Sequence, residues 1–477
     1  MTAEDPNVKS EALAYLRRES LDIYNRVHSI AEDCEFVKAA CRAYPDLPVV
    51  PNLRCGAWYV DPTIASGEVA YFKSTDGHFN NWTFNLRRPN VHLLPFIVQH
   101  GGLLLVDSTR SGKRMPDALS KTVPIWCAVV NRAMCMRHGK GDEWDVSLFT
   151  SPAAVSRQEH AQIETQLDDW ARLLTNSSYD LPNLTHSLRP LWVTPSTSLY
   201  PHLPPLSDGT FYPVVCISAS KQIEEGFERR SNGFSYIQGS GDDHELWGQA
   251  SILDDICGLT PDMFWRNRDR ILNTDRFSLP GLIGDLVAQR AERYGDGRCT
   301  AGPTKIAKVQ GTLLVGKLSD LPLPLPHSLT DSADGISYVL ISEEPATQAV
   351  EPAPRDDLLR LQLPQGKRGQ KLFLESVLPR AMPFVDLQLS RGKAVCICCD
   401  SGKDASVGIA LIVLQLFFDN AGQFLRPEDR GGTAIDKKSI STRLQWIITS
   451  RPQANPARAT LKRVNEFLMT SPALRGK

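Results

Sequence analysis

Two short stretches of the sequence place acidic, basic and imidazole side chains close enough together to serve a group-transfer reaction. KSTDGH, from Lys73, contains Asp76 and His78 as candidate catalytic groups and Lys73 as a candidate phosphate ligand. GSGDDHELW, from Gly239, contains a second set of catalytic candidates, Asp242, Asp243 and His244. Simpler explanations are an Asp–Gly turn between two strands for the first stretch and acids at a helix N-terminus for the second.

A third stretch follows the apolar run GLLLVD and combines an acid with a basic turn. Asp107 and, in the second stretch, Asp242 are each candidate metal ligands, because carboxylates are the ligands that Mg²⁺ takes from proteins. Three further side chains of this loop are candidate phosphate ligands: Thr109, Arg110 and Lys113. A basic surface loop that contacts only RNA backbone or solvent is the alternative.

The fourth stretch, KAVCICCDSGKDASVG, predicts an apolar strand ending at Cys399 and a helix beginning near Ala405. Backbone N–H groups of such a loop, backed by a helix N-terminus, form an anion site. The candidate phosphate ligands are Cys399, Asp400, Ser401, Gly402, Lys403, Asp404 and Ser406. A Walker loop is excluded, because the upstream glycine is missing and Asp404 stands in the Ser/Thr position.

The spacing of this loop resembles that of the dual-specificity phosphatases, in which a cysteine is followed by five residues, an arginine and Ser or Thr. Cys399 and Ser406 match, but Ala405 stands in the arginine position. Without a guanidinium to stabilise a transferring phosphoryl group, we expect phosphate binding without cleavage, and Cys399 need not be a nucleophile. A purely structural strand-to-helix turn is the alternative.

The elements that would carry these stretches are those of a mixed α/β protein. With 477 residues, of which 42% are hydrophobic, the chain should form two or three packed units. Helices are predicted over 10–44 and 156–174, and strands at HGGLLLVD, FYPVVCIS, ISYVLIS and KAVCICC. Prolines make 182–213 a predicted surface connection. The segment 343–357 is predicted to link an N-terminal domain, 1–342, to a C-terminal domain, 358–477.

Charge and cysteine content bear on whether the protein binds RNA and on its cellular location. The net charge is only −1, but residues 421–477 contain 11 Lys and Arg against 4 Asp and Glu, which is either an RNA-binding surface or a solvated face. The RNA-binding candidates are Arg87, Arg88, Lys437, Lys438, Arg443, Lys462 and Arg463. Eleven scattered cysteines without a secretory signal predict a cytoplasmic protein with free thiols. The apolar run 408–418 is too short to span a membrane.

Five stretches taken together resemble the initiator tRNA phosphoribosyltransferases of fungi and plants. They are YFKSTDGHFNNWTFNLRRPN from Tyr71, HGGLLLVDSTRSGKRMPDALSKTVPIWCAVVNRA from His100, YIQGSGDDHELW from Tyr236, CDSGKDASVG from Cys399 and RATLKRVNEFLM from Arg458. The resemblance implies an α/β fold with a family-specific N-terminal domain and a C-terminal domain like a dual-specificity phosphatase. It also implies transfer of a phosphoribosyl unit from phosphoribosyl pyrophosphate to the 2'-hydroxyl of a T-stem adenosine in cytosolic initiator tRNA, which keeps that tRNA out of elongation.

This function predicts phosphoribosyl pyrophosphate as co-substrate, Mg²⁺ as cofactor and initiator tRNA as partner, with no membrane and no stable protein partner. Two alternatives remain open. The missing arginine at Ala405 would suit an inactive phosphatase-like module that binds phosphorylated RNA or protein. A true RNA phosphatase is the other alternative, which Ala405 disfavours.

Overall fold

The structure is a computed structural model that describes most of the chain. The described residues are 6–110, 112–141, 143–203, 210–224, 227–242, 258–293, 302–322, 324–326, 335–343, 355–430 and 435–470. They fall into two compact units, one comprising Met1–Asn176 and Asp180–Ala291, the other Ser177–Tyr179 and Glu292–Lys477. Among the described residues, no helix is long and apolar enough to cross a membrane.

The first unit is built on a four-stranded parallel sheet with the order β1-β2-β4-β3. The strands are β1 Val49–Pro51, β2 Leu103–Asp107, β3 Ser187–Val193 and β4 Phe211–Ser218. The residues of β1 and β2 are all buried, as expected for parallel strands covered on both faces. Because all four strands run the same way, the residues that follow them lie at one edge of the sheet.

Helices cover this sheet. They are α1 Pro6–Leu21, α2 Ile23–Ala43, α3 Leu93–His100, α4 Val123–His138, α5 Arg157–Glu164, α6 Leu167–Thr175, α7 Pro261–Arg266, α8 Arg268–Leu272 and α9 Leu279–Arg293. The apolar sides of α2, α7, α8 and α9 form one core with Leu104 and Val106 of β2 and Val215 and Ile217 of β4. A short antiparallel pair, β5 Glu228–Arg229 and β6 Ser235–Tyr236, completes the strands described in this unit.

The predicted helices and strands are present, with changes that have local causes. The helix predicted over 10–44 is divided, because the Asp22 carboxylate accepts the Asn25 N–H at 2.9 Å and caps α2. The helix predicted over 156–174 is capped by Ser156, but it ends at Glu164 and α6 begins at Leu167. The proline-rich segment is not only a connection: it contains β3, an edge strand, where Pro190 is tolerated.

The second unit contains a five-stranded sheet with the order β10-β9-β11-β8-β7. Its strands are β7 Thr304–Lys305, β8 Leu313–Lys317, β9 Ile336–Ser342, β10 Leu358–Gln362 and β11 Ala394–Cys399, of which β7 alone is antiparallel to its neighbour. Its helices are α10 Gly366–Leu372, α11 Leu378–Ser390, α12 Ala405–Phe417, α13 Lys437–Ser450 and α14 Arg458–Met469. The predicted mixed α/β class is confirmed.

The domain boundary predicted at 343–357 requires correction. Strands β7, β8 and β9 precede this segment and β10 and β11 follow it, yet all five belong to one sheet. The first compact unit instead ends at Ala291 in the sequence, and the second continues from Glu292. The segment joins two neighbouring parallel strands, β9 and β10, so its polar, proline-rich composition marks a connection within one unit.

Candidate functional site

The strongest candidate site lies at the edge of the first sheet where β1 and β2 end. Asp107, the last residue of β2, is fully buried. Its Oδ2 accepts hydrogen bonds from Asn52 Nδ2 at 2.8 Å and from Arg54 Nε at 3.2 Å, and its Oδ1 accepts one from Cys55 Sγ at 3.0 Å. A buried carboxylate with three donors is held in a fixed orientation.

Asp242 joins this group through Arg54. Arg54 Nη1 donates to Asp242 Oδ1, so one guanidinium bridges the two carboxylates that were predicted separately as metal ligands. Arg110 Nε and Nη2 donate to the Asp242 backbone oxygen at 3.2 and 3.0 Å. Burial raises the pKa of Asp242, and so does the charge of Asp107, while Arg54 and Arg110 oppose the rise.

The predicted Mg²⁺ site stays a prediction. In the described part of the chain, no three His, Cys, Asp or Glu side chains are grouped as metal ligands. Asp107 and Asp242 nevertheless provide the hard oxygen donors that Mg²⁺ takes from a protein when substrate phosphates supply the rest. Arg54 Nη2 is buried and finds no hydrogen-bond acceptor among the residues that the structure describes, which fits a site that receives an anion.

KSTDGH forms a 3₁₀ turn over Ser74–Gly77, and no strands flank it. Asp76 accepts two hydrogen bonds from Arg88 Nη2, at 2.8 and 3.0 Å, and is buried. Arg88 is therefore engaged with Asp76 and its side chain is only 8% exposed, which corrects its predicted role as an RNA contact. Lys73 is exposed, and partial desolvation followed by the charges of Arg88 and Arg87 lowers its pKa.

The same stretch meets the loop after β2 at Asp117. Lys113 Nζ lies 2.7 Å from Asp117 Oδ2, Lys121 Nζ lies 3.0 Å from Oδ1, and His78 Nε2 lies 3.7 Å from Oδ2. Burial raises the pKa of Asp117, but the hydrogen bonds from Lys113 and Lys121 outweigh it and leave that pKa below the usual value. The structure thus brings His78 and Lys113 together.

A π-helical turn, Ala118–Thr122, directly follows Asp117 and packs against Gly77 of KSTDGH. A Cβ on Gly77 would lie 2.8 Å from both the Asp117 backbone oxygen and Thr122 Oγ1, so only glycine lets KSTDGH pack against the turn. Thr109 is buried, and its backbone lies directly against Gly239. Asp243 and His244 lie outside the described residues.

In the second unit, the predicted strand, loop and helix are confirmed, with β11 ending at Cys399 and α12 beginning at Ala405. Cys399 Sγ lies 3.1 Å from Ser406 Oγ and 3.7 Å from Ser401 Oγ. Gly402 has φ +62°, and a Cβ there would lie 2.7 Å from the Lys317 backbone nitrogen, so both its conformation and its surroundings require glycine.

Three cations surround this loop. Lys317, the last residue of β8, is in register with Cys399, and Lys403 is exposed. Desolvation, then the charges of Lys317 and Arg451, lower the pKa of Lys403. Arg451 is buried: its Nε donates to the Gly402 backbone oxygen at 2.9 Å and its Nη1 to Thr304 Oγ1 at 2.8 Å. Arg451 is therefore a buried side chain that holds the loop through the Gly402 backbone.

The two carboxylates of the loop bind protein backbone. Asp404 Oδ1 accepts the Ala457 N–H and Asp400 Oδ2 accepts the Glu343 N–H, each at 2.9 Å. In this structure both acids hold neighbouring segments, and their role as phosphate ligands stays a prediction. A phosphate would repel these carboxylates, whereas Lys317 and Lys403 would attract it.

Comparison with known proteins gives the family. Residues 16–288 match the family described as the Rit1 N-terminal domain, and residues 357–468 match the Rit1 DUSP-like domain. The chain belongs to the Rit1 family. A Saccharomyces cerevisiae relative named tRNA A64-2'-O-ribosylphosphate transferase is 31% identical over 95% of this chain and 93% of its own. An uncharacterized Schizosaccharomyces pombe protein is 33% identical over 94% of each chain.

The solved structures that this Rit1-family chain matches include DUSP28 and DUSP15. Human DUSP28 is 14% identical, with a TM-score of 0.22, and the match covers 36% of this chain and 95% of that one. DUSP15 is 19% identical, with a TM-score of 0.23, over 36% of this chain and 92% of that one.

The basic surface predicted for the C-terminal part of the Rit1-family chain is only partly present. Lys437, Lys438 and Lys462 are exposed, and Arg463 pairs with Glu466. Arg443 is 2% exposed; its guanidinium donates to the backbone oxygens of Leu414 and Phe418 and lies 4.0 Å from the Trp446 ring centroid. The prediction that Arg443 contacts RNA is therefore wrong, because this side chain packs inside the fold.

Two residues of the Rit1 N-terminal domain were missed from sequence. Arg54 follows β1, a strand of three residues too short to be recognised, so nothing in the sequence linked it to Asp107. Asp117 could have been found, since it lies four residues from both Lys113 and Lys121, the spacing at which opposite charges pair on a helix.

Proposed function

We propose that this chain transfers a 5-phosphoribosyl unit from phosphoribosyl pyrophosphate to the ribose 2'-hydroxyl of a T-stem adenosine in cytosolic initiator tRNA. The observation that carries the proposal is its relation over nearly the whole chain to the yeast tRNA A64-2'-O-ribosylphosphate transferase. Both family domains are present along one chain. A cytosolic substrate places the enzyme in the cytoplasm.

In this reaction, the 2'-oxygen forms a bond to the anomeric carbon of the donor as the bond to pyrophosphate breaks. The proton of the 2'-hydroxyl needs an acceptor, and the leaving pyrophosphate needs positive charge. Asp242 is the best-supported acceptor, because its burial favours proton binding more than an exposed carboxylate does. Arg54 and Arg110 contact Asp242 and could hold pyrophosphate, and Lys113, on the loop after β2, is a further candidate.

Mg²⁺ bound with the donor would neutralise part of the pyrophosphate charge. Asp107 is the carboxylate that would hold it, with Asp242 beside it. Arg54 would then turn its guanidinium from these carboxylates toward the donor phosphates, for which its planar, bidentate geometry is suited. His78 and Lys121, on either side of Asp117, extend the same row of basic groups.

We infer that the loop Cys399–Ser406 holds a phosphate group of the donor or of the tRNA without cleaving it. Its backbone N–H groups, the N-terminus of the 13-residue helix α12, and Lys317 and Lys403 support this role. Ala405 leaves the loop without the arginine that phosphoryl transfer requires. Phosphate binding by this loop would therefore position a substrate.

The test is to incubate the purified chain with initiator tRNA, phosphoribosyl pyrophosphate and Mg²⁺, and to measure by mass spectrometry one added ribosyl phosphate in the T-stem. Asp242→Asn should abolish the product while leaving tRNA binding intact. Omission of the donor and use of an elongator tRNA are the matched controls. Tight tRNA binding without any product would support the inactive binding module, and phosphate release from a generic ester would support a phosphatase.

A further inference from the structure

An aromatic ring stands exposed beside the candidate site. Phe79 directly follows His78 and is 60% exposed. Its ring contacts Trp82 edge to face, with centroids 5.6 Å apart and an interplanar angle of 83°. Trp82 Nε1 in turn donates to Glu159 Oε1 at 3.0 Å, so the indole that supports Phe79 is itself fixed. Phe79 is thus largely exposed to solvent and packs against an indole that is itself hydrogen-bonded.

The backbone keeps the ring in that position. Asn81 N–H donates to the His78 oxygen at 2.9 Å, and Thr83 N–H donates to the Asp76 oxygen at 2.9 Å, so the segment between them is closed into a compact loop. Asn80 has φ +59°, a left-handed backbone conformation that residues other than glycine seldom adopt. Such a loop presents Phe79 outward and is anchored to the same Asp76 that binds Arg88.

Polar and basic residues flank Phe79 along the chain. His78 and Asn80 are exposed next to it, so Phe79 is not part of a broad apolar patch of the kind that docks another protein. Lys73 is exposed at the start of the loop, and Arg87 lies close enough to Lys73 to lower its pKa. An exposed ring on a loop that is flanked along the chain by basic residues has the groups with which proteins hold unpaired nucleotides, the ring stacking on a base and the cations binding phosphates.

We propose that Phe79 stacks on an unpaired nucleobase of the tRNA substrate, while Lys73 and Arg87 bind the phosphates that flank it. The proposal rests on the proposed function, because it takes tRNA as the substrate. It goes beyond that function by naming a contact that reads unpaired bases rather than the helical backbone. A duplex without unpaired bases would offer this ring no exposed base face.

The test uses the full chain and its Phe79→Ala, Phe79→Trp and Phe277→Ala variants. Phe277 is 94% exposed in the same unit, which makes it a matched control for loss of an exposed ring. The dissociation constants for initiator tRNA and for a blunt RNA duplex are measured without donor. Stacking on one base corresponds to about a 5- to 150-fold loss of tRNA affinity for Phe79→Ala. Phe79→Trp should stay within about twofold of the unchanged chain, as should Phe277→Ala.

The outcomes separate this inference from the proposed function. Equal losses for Phe79→Ala on tRNA and on duplex, no loss on tRNA, or an equal loss for Phe277→Ala would overturn the stacking contact. So would a wild-type chain that binds the duplex as tightly as it binds tRNA. A selective loss in Phe79→Ala, combined with no ribosyl phosphate product from the wild-type chain, would leave the contact standing and refute the transferase.

Discussion

Asp33 is a buried carboxyl group whose replacement by asparagine should change how stability depends on pH. Its Oδ1 accepts a hydrogen bond from Tyr236 Oη at 2.6 Å and its Oδ2 one from Ser220 Oγ, which in turn lies 2.6 Å from Ser108 Oγ, next to Asp107. Burial raises the pKa of Asp33 to about 8, against these two hydrogen bonds, which lower it. With this pKa Asp33 is mostly protonated in the folded protein at neutral pH, and in that state one of its oxygens donates to a neighbouring hydroxyl instead of accepting from it.

The sign of the effect follows from proton binding. The folded protein holds this proton more tightly than the unfolded chain, whose Asp33 has an ordinary pKa near 3.8. The stability that this provides is complete below pH 3.8 and is lost as pH rises toward 8. Each unit of pH between these values removes about 1.4 kcal/mol, so raising pH from 5 to 7 should lower the free energy of unfolding by about 3 kcal/mol.

Asparagine has the same shape and does not titrate, so Asp33→Asn should remove this dependence. The measurement is urea unfolding of both proteins at pH 5 and pH 7, followed by circular dichroism, with the difference between variant and wild type compared at the two values. The variant should gain about 3 kcal/mol relative to wild type on going from pH 5 to pH 7. Asp61→Asn is the control, because the pKa of Asp61 is lowered and the carboxyl is ionised over this range in both the folded and the unfolded chain. An unchanged difference for Asp33→Asn would mean that Asp33 is ionised in the fold and would refute the argument.

Three further predictions concern the candidate sites. Arg54→Ala should lower kcat/KM for transfer at least about 100-fold with little change in tRNA affinity. The reason is that Asp107 and Asp242 lose the cation that they share. Steady-state kinetics and tRNA titration are the measurements. Gly77→Ala should lower the free energy of unfolding by about 1–3 kcal/mol in urea, whereas Gly281→Ala, in α9 with nothing near its Cβ, should be neutral or stabilising. Lys403→Ala should weaken donor or tRNA binding in titrations without lowering stability, and unchanged activity and binding would remove the phosphate-binding role of its loop.

The sequence predicted those parts of the molecule that depend on local pattern. Apolar runs predicted β2, β4, β9 and β11, since buried parallel strands carry continuous hydrophobic residues. The loop between Cys399 and Ala405 was predicted for the same reason, because a strand, a glycine and a helix follow one another within a short stretch. The three-residue strand β1 carries too little pattern to be recognised.

What the sequence could not predict is which distant residues meet. Asp107 and Asp242 were predicted singly, but their connection through Arg54 depends on β1 lying beside β2, a pairing of residues more than 50 positions apart. Burial was also misjudged where charge was taken as a sign of exposure. Arg443 belongs to the most basic part of the chain, yet it satisfies backbone carbonyl groups at the end of α12.

The charges of the two units favour a division of tasks between them. In the first unit, Asp242 has a raised pKa beside the cations of Arg54 and Arg110, so under the proposed function one sheet edge would offer both a proton acceptor and a place for pyrophosphate. In the loop of the second unit, Asp400 and Asp404 are occupied by backbone N–H groups and Lys403 remains exposed. A site whose carboxylates are engaged and whose arginine position holds alanine can retain a phosphate but has little means to cleave it. We therefore assign the chemistry to the first unit and the holding of a substrate to the phosphatase-like loop.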